Sequence, residues 1–97
     1  MNYSRNIADY HDIGLTADWS VSSYHIAGNM FVTDDEDGNF SLVHRKNDGP
    51  CNPIYTAVDR WLGTPEYAFA MCVNRLYWME TREGFNPKTG KFPRKHR

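Results

Sequence analysis

The hydrophobic positions fall into three regimes along the chain. In Ser4–Gly14, Ile7, Tyr10 and Ile13 recur about every third residue. That spacing predicts a short helix with Ser4 as N-cap, Gly14 as its stop, and Asp9 and Asp12 on the wet side. From Trp19 the apolar residues become β-branched and aromatic and are separated by turn formers. Strands are predicted over Trp19–Ile26, Met30–Thr33 and Asn39–Arg45, with reversals at Ala27-Gly28-Asn29 and Asp34–Gly38, and turn formers from Lys46 to Pro50. Phe40, Leu42 and His44 share one face of the third strand. Two helices are then predicted. Asn52-Pro53 opens the first, with Ile54, Val58, Trp61 and Leu62 as its stripe and Gly63 as its end. Thr64-Pro65-Glu66 opens the second, which runs to about Glu83. Tyr67, Phe69–Val73 and Leu76–Met79 leave that helix few polar faces, so it is either the central helix of the domain or one whose second face meets a partner. The expected fold is α+β: a small antiparallel three-stranded sheet with two or three helices packed on one face, compact over residues 1–86, followed by a basic C-terminal tail at 87–97.

Ninety-seven residues suffice for one domain, which buries roughly 60–65 % of its unfolded surface. Its 14 % aromatic content fills a core without a disulfide or structural metal. The longest apolar run, Tyr67–Val73, is far short of the ~20 residues of a membrane span. Polar residues from Asn2 to Asp9 break any apolar signal region, so a cytoplasmic location with reduced Cys51 and Cys72 is expected.

Charge changes the picture more. The formal net charge of −1 is a cancellation. Residues 1–40 hold seven acids (Asp9, Asp12, Asp18, Asp34, Asp35, Glu36, Asp37) against one base, Arg5. Residues 81–97 hold six bases (Arg82, Lys88, Lys91, Arg94, Lys95, Arg97) against one acid, Glu83. A Debye length of ~8 Å at physiological salt lets a nearby partner feel each region separately.

Candidate chemistry is sparse. If Gly38 takes the sixth position of a calcium loop, Thr33 falls at the first and His44 at the twelfth, neither of them a suitable ligand. The four histidines and two cysteines have no zinc spacing. No G-x-S-x-G elbow and no phosphate-cradling glycine loop is present. Neither enzymatic activity, nor a metal, nor a cofactor is expected. Two charged candidates remain. Asp34, Asp35, Glu36 and Asp37, with Asp9, Asp12 and Asp18, approach the charge density of a nucleic-acid backbone, which carries one charge per ~1.7 Å in duplex DNA. Lys88, Lys91, Arg94, Lys95 and Arg97 form the alternative, a basic tail suited to binding nucleic acid.

In its length, its acid-rich Asp9–Asp37 segment and its lack of a catalytic constellation, the whole chain resembles the phage-encoded inhibitors of type I-F CRISPR–Cas immunity, a group without a signature motif. The resemblance implies a DNA mimic that docks on the crRNA-guided surveillance complex. It would sit between the large subunit and the adjacent backbone subunit, where the PAM-side duplex is gripped, and exclude target DNA without binding DNA or membrane itself. The two other expectations left open are a phage accessory module binding nucleic acid through its tail and an assembly protein dimerising through the apolar second helix.

Overall fold

The computed structural model describes residues 3–13, 22–34, 39–46 and 54–93, and of Ile54 and Tyr55 the backbone alone. Four strands, β1 (Ser23–Ala27), β2 (Met30–Asp34), β3 (Phe40–Lys46) and β4 (Ile54–Trp61), form an antiparallel sheet in the order β1-β2-β3-β4. One helix, α1 (Pro65–Arg82), crosses one face. The class is α+β, but the described residues form four strands and one α-helix instead of three strands and two or three helices.

Two predicted helices are therefore corrected. The stretch Ile54–Trp61 is a strand, pairing residue by residue with β3 from Phe40↔Trp61 to Lys46↔Ile54. Ile54, Tyr55, Thr56, Val58 and Trp61 are β-branched or aromatic and favour a pleated surface. As a helix, this segment would leave the outer hydrogen-bonding edge of β3 without its partner. The helix-like spacing of Ile54, Val58 and Trp61 instead spans an irregularity in the β3–β4 pairing, where Leu42 faces Asp59 but Val43 faces Ala57. At the N-terminus only Ile7–Asp9 is helical, as one 3-10 turn capped by the Asn6 side chain, which accepts from the Ala8 N–H. Residues beyond it are drawn out straight: Asp12 bridges Tyr24, and the Ile13 N–H donates to the Ser23 carbonyl at 2.8 Å. So short a helix is marginal on its own, and these edge contacts outcompete it.

The other predicted strands and the second predicted helix lie within a few positions of where they were expected. β1 overlaps the end of the predicted first strand, and β1, β2 and β3 each run one residue further than predicted, to Ala27, Asp34 and Lys46. Trp19, Ser20 and Val21, and the loop from Asp35 to Gly38, lie outside the described residues. The helix α1 opens on Thr64, whose hydroxyl accepts from the Tyr67 N–H at 3.3 Å, with Pro65 in its first turn.

Packing follows from strand alternation. Met30, Val32, Phe40 and Leu42 meet Ala68, Phe69, Cys72, Val73, Leu76 and Met79 of α1 in the core. Phe31, Thr33, Ser41 and Val43 alternate with them and are also buried, so the centre of the sheet is covered on both faces. The fully buried Phe69 ring sits 5.4 Å from Tyr10, 5.6 Å from Tyr24 and 6.4 Å from Phe40, edge-on to the last two.

Beyond α1, Phe85 is buried and lies against Phe92, the two rings tilted to one another with centroids 5.0 Å apart. Asn86 and Lys91 pair across a turn. That turn docks on the β1–β2 reversal: the Asn29 N–H donates to the Pro87 carbonyl at 3.0 Å, and the Asn29 amide to the Lys88 carbonyl at 2.8 Å. Gly28, at φ +53°, lies so close that a Cβ there would stand 2.9 Å from the Pro87 carbonyl carbon.

Truncating Phe69 to Ala removes the ring that joins four elements. A loss of about 3–5 kcal/mol is expected in urea unfolding, with Phe69→Leu costing less.

Candidate functional site

Antiparallel pairing projects the order of charges along the chain onto the two ends of the sheet. Asp12 and Asp34, distant in sequence, meet on either side of the start of β1. The Asp12 carboxylate accepts from the Ser23 N–H at 3.1 Å, and the Asp34 N–H donates to the Ser22 carbonyl at 2.9 Å. Asp34 is the last residue of β2, and Asp35, Glu36 and Asp37 follow it directly in the chain. Asp9 is exposed in the 3-10 turn and accepts from the Ser4 hydroxyl. Asp59 of β4 and Glu66 in the first turn of α1 belong to the same end. Two bases lie among them, Arg60 opposite Ser41 and Arg75 paired with Asp59.

At the other end, Arg45 and Lys46 close β3. The Arg45 N–H donates to the Asn29 carbonyl at 2.8 Å, and Asn29 in turn holds the Pro87–Lys88 backbone. Four bases from separate parts of the chain, Arg45, Lys46, Lys88 and Lys91, thus share one end of the molecule. Lys88 and Lys91 are exposed, and their turn is closed by Gly90, which lies against the His44 ring. A Cβ on Gly90, at φ +71°, would stand 2.6 Å from that ring. The buried His44 Nε2 and Arg45 Nε have no hydrogen-bond partner among the described residues.

The six residue steps from Phe40 to Lys46 separate the ends by about 20 Å, more than two Debye lengths at physiological salt. The acidic and basic ends therefore present separate fields to an approaching partner. The helix dipole has the complementary sense: α1 begins at the acidic end and finishes near the basic one.

Of the sequence-predicted acids, Asp9, Asp12 and Asp34 are placed toward one end, while Asp18, Asp35, Glu36 and Asp37 lie outside the described residues. Of the predicted bases, Lys88 and Lys91 share a turn, while Arg94, Lys95 and Arg97 lie outside them. Arg45 and Lys46, which beside His44 could form a basic edge, were not among the predicted site residues. Their signal was strand parity: in a meander the end of β3 returns to the β1–β2 reversal.

Beside these ends lies a shallow groove of about 210 Å³, lined by Trp61 of β4 and by Met71, Asn74, Arg75 and Trp78 of α1. Arg75 pairs with Asp59 at 3.5 Å, and the Arg82 guanidinium lies over the Trp78 ring, 4.5 Å from its centroid. Three protonated groups sit in the core or at its border. Burial pushes the Cys72 thiol up to about 12, with the Asp59 charge adding to the shift. Burial, followed by its 2.6 Å hydrogen bond to Glu80, raises the Tyr3 phenol well above its ordinary range. Tyr10 is raised by burial and then by Asp9. Among the described residues no three His, Cys, Asp or Glu side chains gather to hold a metal, and no helix is long and apolar enough to cross a membrane. No family model, curated protein or solved structure matches the chain.

Cys72 should be inert to thiol reagents in the folded state. In a Cys51→Ser background its labelling is expected to follow global unfolding, as read by reagent uptake across a denaturant series. The raised thiol pKa also sets a pH dependence. The unfolded thiol ionises near 9.0, whereas burial keeps the folded one protonated to about 12. Its contribution to stability is complete below pH 9 and lost progressively as pH rises above it, with Tyr3 adding to the loss at higher pH. Urea midpoints should fall across that window, and less steeply in Cys72→Ala.

Proposed function

We propose that this chain is a non-catalytic anti-CRISPR inhibitor. Its acidic end mimics DNA and occupies the PAM-side duplex-binding site of the type I-F surveillance complex, between the large subunit and the adjacent backbone subunit. The observation that carries the reading is the meeting of Asp12 and Asp34 around Ser22 and Ser23, with Asp35, Glu36 and Asp37 next in the chain. Acids separated in sequence thereby contribute to one field, as a phosphate mimic requires. Their carboxylates pair with lysines and arginines that otherwise grip phosphates, and target DNA is excluded by competition. The action takes place in the host cytoplasm, and the protein itself forms and breaks no bond. Opposite charge speeds association, while contacts around the charged centre slow release.

The test is fluorescence anisotropy of labelled target duplex on purified type I-F complex, titrated with the protein. The signal is expected to fall to the free-duplex value, with no response from protein and duplex alone. Reversing Asp35, Glu36 and Asp37 to Lys should raise the half-inhibitory concentration by at least about tenfold. Unchanged inhibition by that variant rejects the loop as the contact, and an unaffected complex rejects the reading.

A second reading is favoured by the gathering of Arg45, Lys46, Lys88 and Lys91: an accessory module whose basic end binds nucleic acid. It predicts duplex binding that weakens with salt at a log–log slope of about −0.9 per neutralised phosphate. The variants suited to it are Lys88→Glu with Lys91→Glu, or removal of residues 94–97. Deleting 88–97 would also strip the contacts that the Asn29 amide and Phe85 make with that segment.

A further inference from the structure

We propose that the basic end is a platform for single-stranded nucleic acid, in which the exposed Phe92 ring stacks on an unpaired base while Lys88 and Lys91 hold the phosphates beside it. The inference rests on the nucleic-acid reading of this end and leaves the acidic-end reading untouched. The first observation is the way Phe92 is held. Its ring is 50 % exposed, yet it is braced by the buried Phe85, with centroids 5.0 Å apart. The chain is anchored on both sides of it. The Lys91 carbonyl accepts from the Asn86 N–H at 3.0 Å. The Pro93 ring sits against Gly84, where a Cβ would stand 2.9 Å from Pro93 Cγ. A side chain fixed in this way loses little freedom on binding, so most of its contact energy is retained.

The second observation is the charge around that ring. Lys91 directly precedes Phe92, and Lys88 lies in the same turn, which the Gly90 N–H closes on the Asn86 carbonyl at 2.7 Å. Both lysines are exposed. Arg45 and Lys46 add positive charge behind them, because Asn29 bonds both the Arg45 N–H and the Lys88 carbonyl. The three described segments that meet here, 27–30, 44–46 and 84–93, contain no acid. The two acids just before Gly84 are engaged: Glu80 accepts from the Tyr3 hydroxyl at 2.6 Å, and Glu83 lies 4.0 Å from the Arg75 guanidinium. Within these segments the positive field around Phe92 is therefore not cancelled.

An aromatic ring among lysines selects an unpaired strand over a duplex. Bases in a duplex are stacked on their neighbours, so an exposed ring has no face to cover. An unpaired base offers its face to an aromatic side chain whatever its identity, and the lysines meet the backbone on either side of it. Charge alone favours the duplex, whose phosphates are denser along its axis. A preference for the single strand thus isolates the contribution of the ring.

The experiment is fluorescence anisotropy of the full chain with two labelled probes at about 50 mM and about 200 mM salt. One is an oligothymidylate of about twelve nucleotides, the other a mixed-sequence duplex of about twelve base pairs. The oligothymidylate is expected to bind more tightly than the duplex, and less tightly at the higher salt. Phe92→Leu keeps an apolar side chain against Phe85 but removes the aromatic face, whereas Phe92→Tyr keeps the face. The first should raise the single-strand Kd at least about fivefold and the second leave it within about twofold, with circular dichroism unchanged in both. Lys88→Glu with Lys91→Glu should weaken binding of either probe at least about tenfold. Failure to bind either probe at low salt overturns the proposal together with the reading on which it rests. Tighter binding of the duplex leaves that reading standing and overturns the proposal, as does a single-strand affinity unchanged in folded Phe92→Leu.

Discussion

The contact on which the rest depends is the Phe69 ring, set against Tyr10, Tyr24 and Phe40 in the core between helix and sheet. Each partner brings a different element to the helix. Tyr10 draws in the N-terminal segment, Tyr24 the edge strand β1, and Phe40 the start of β3. An aromatic cluster of this kind stabilises both by area removed from water and by edge-to-face geometry. It also fixes where the N-terminal segment leaves the core. Two residues beyond Tyr10, Asp12 is delivered to the Ser23 N–H, alongside the end of β2 that carries Asp34. The acidic end is thus a consequence of core packing.

The same economy operates at the opposite end. Asn29, in one short reversal, accepts from the Arg45 N–H and donates twice to the Pro87–Lys88 backbone. These bonds join the end of β3 to the segment after α1 and gather four bases. A chain whose first forty residues are acidic and last seventeen basic would, in a less ordered arrangement, bring opposite charges together. Among the described residues, the antiparallel strands set Asp34, opposite Phe40, about 20 Å from Lys46 at the far end of β3, and screening does the rest.

Much of this was legible in the sequence. The turn at Gly28, strands β2 and β3, and α1 with its Thr64-Pro65 opening all carry strong local chemistry, and the structure places them there. The reading failed where periodicity was short and ambiguous. Ile54, Val58 and Trp61 fit a helical stripe as well as a strand, and the outcome turned on the hydrogen-bonding needs of β3, a non-local constraint that no window of sequence contains. The N-terminal helix failed likewise, because its last residues were claimed by the edge of β1. For the site, the charges themselves were readable, but their convergence was not. Nothing near Asp12 says that it will share β1 with Asp34, and nothing near Arg45 says that Lys88 will lie beside it.

The central claim is that the acidic end is the working surface and that the basic end stands apart from it. The most direct measurement is hydrogen exchange of the backbone amides, read by mass spectrometry, in the free protein and in the protein bound to the type I-F surveillance complex. The account predicts slowed exchange in peptides covering Asp9–Ile13 and Asp34–Asn39, with the turn from Asn86 to Lys91 unchanged. Protection confined to that turn, or no protection anywhere, would contradict it.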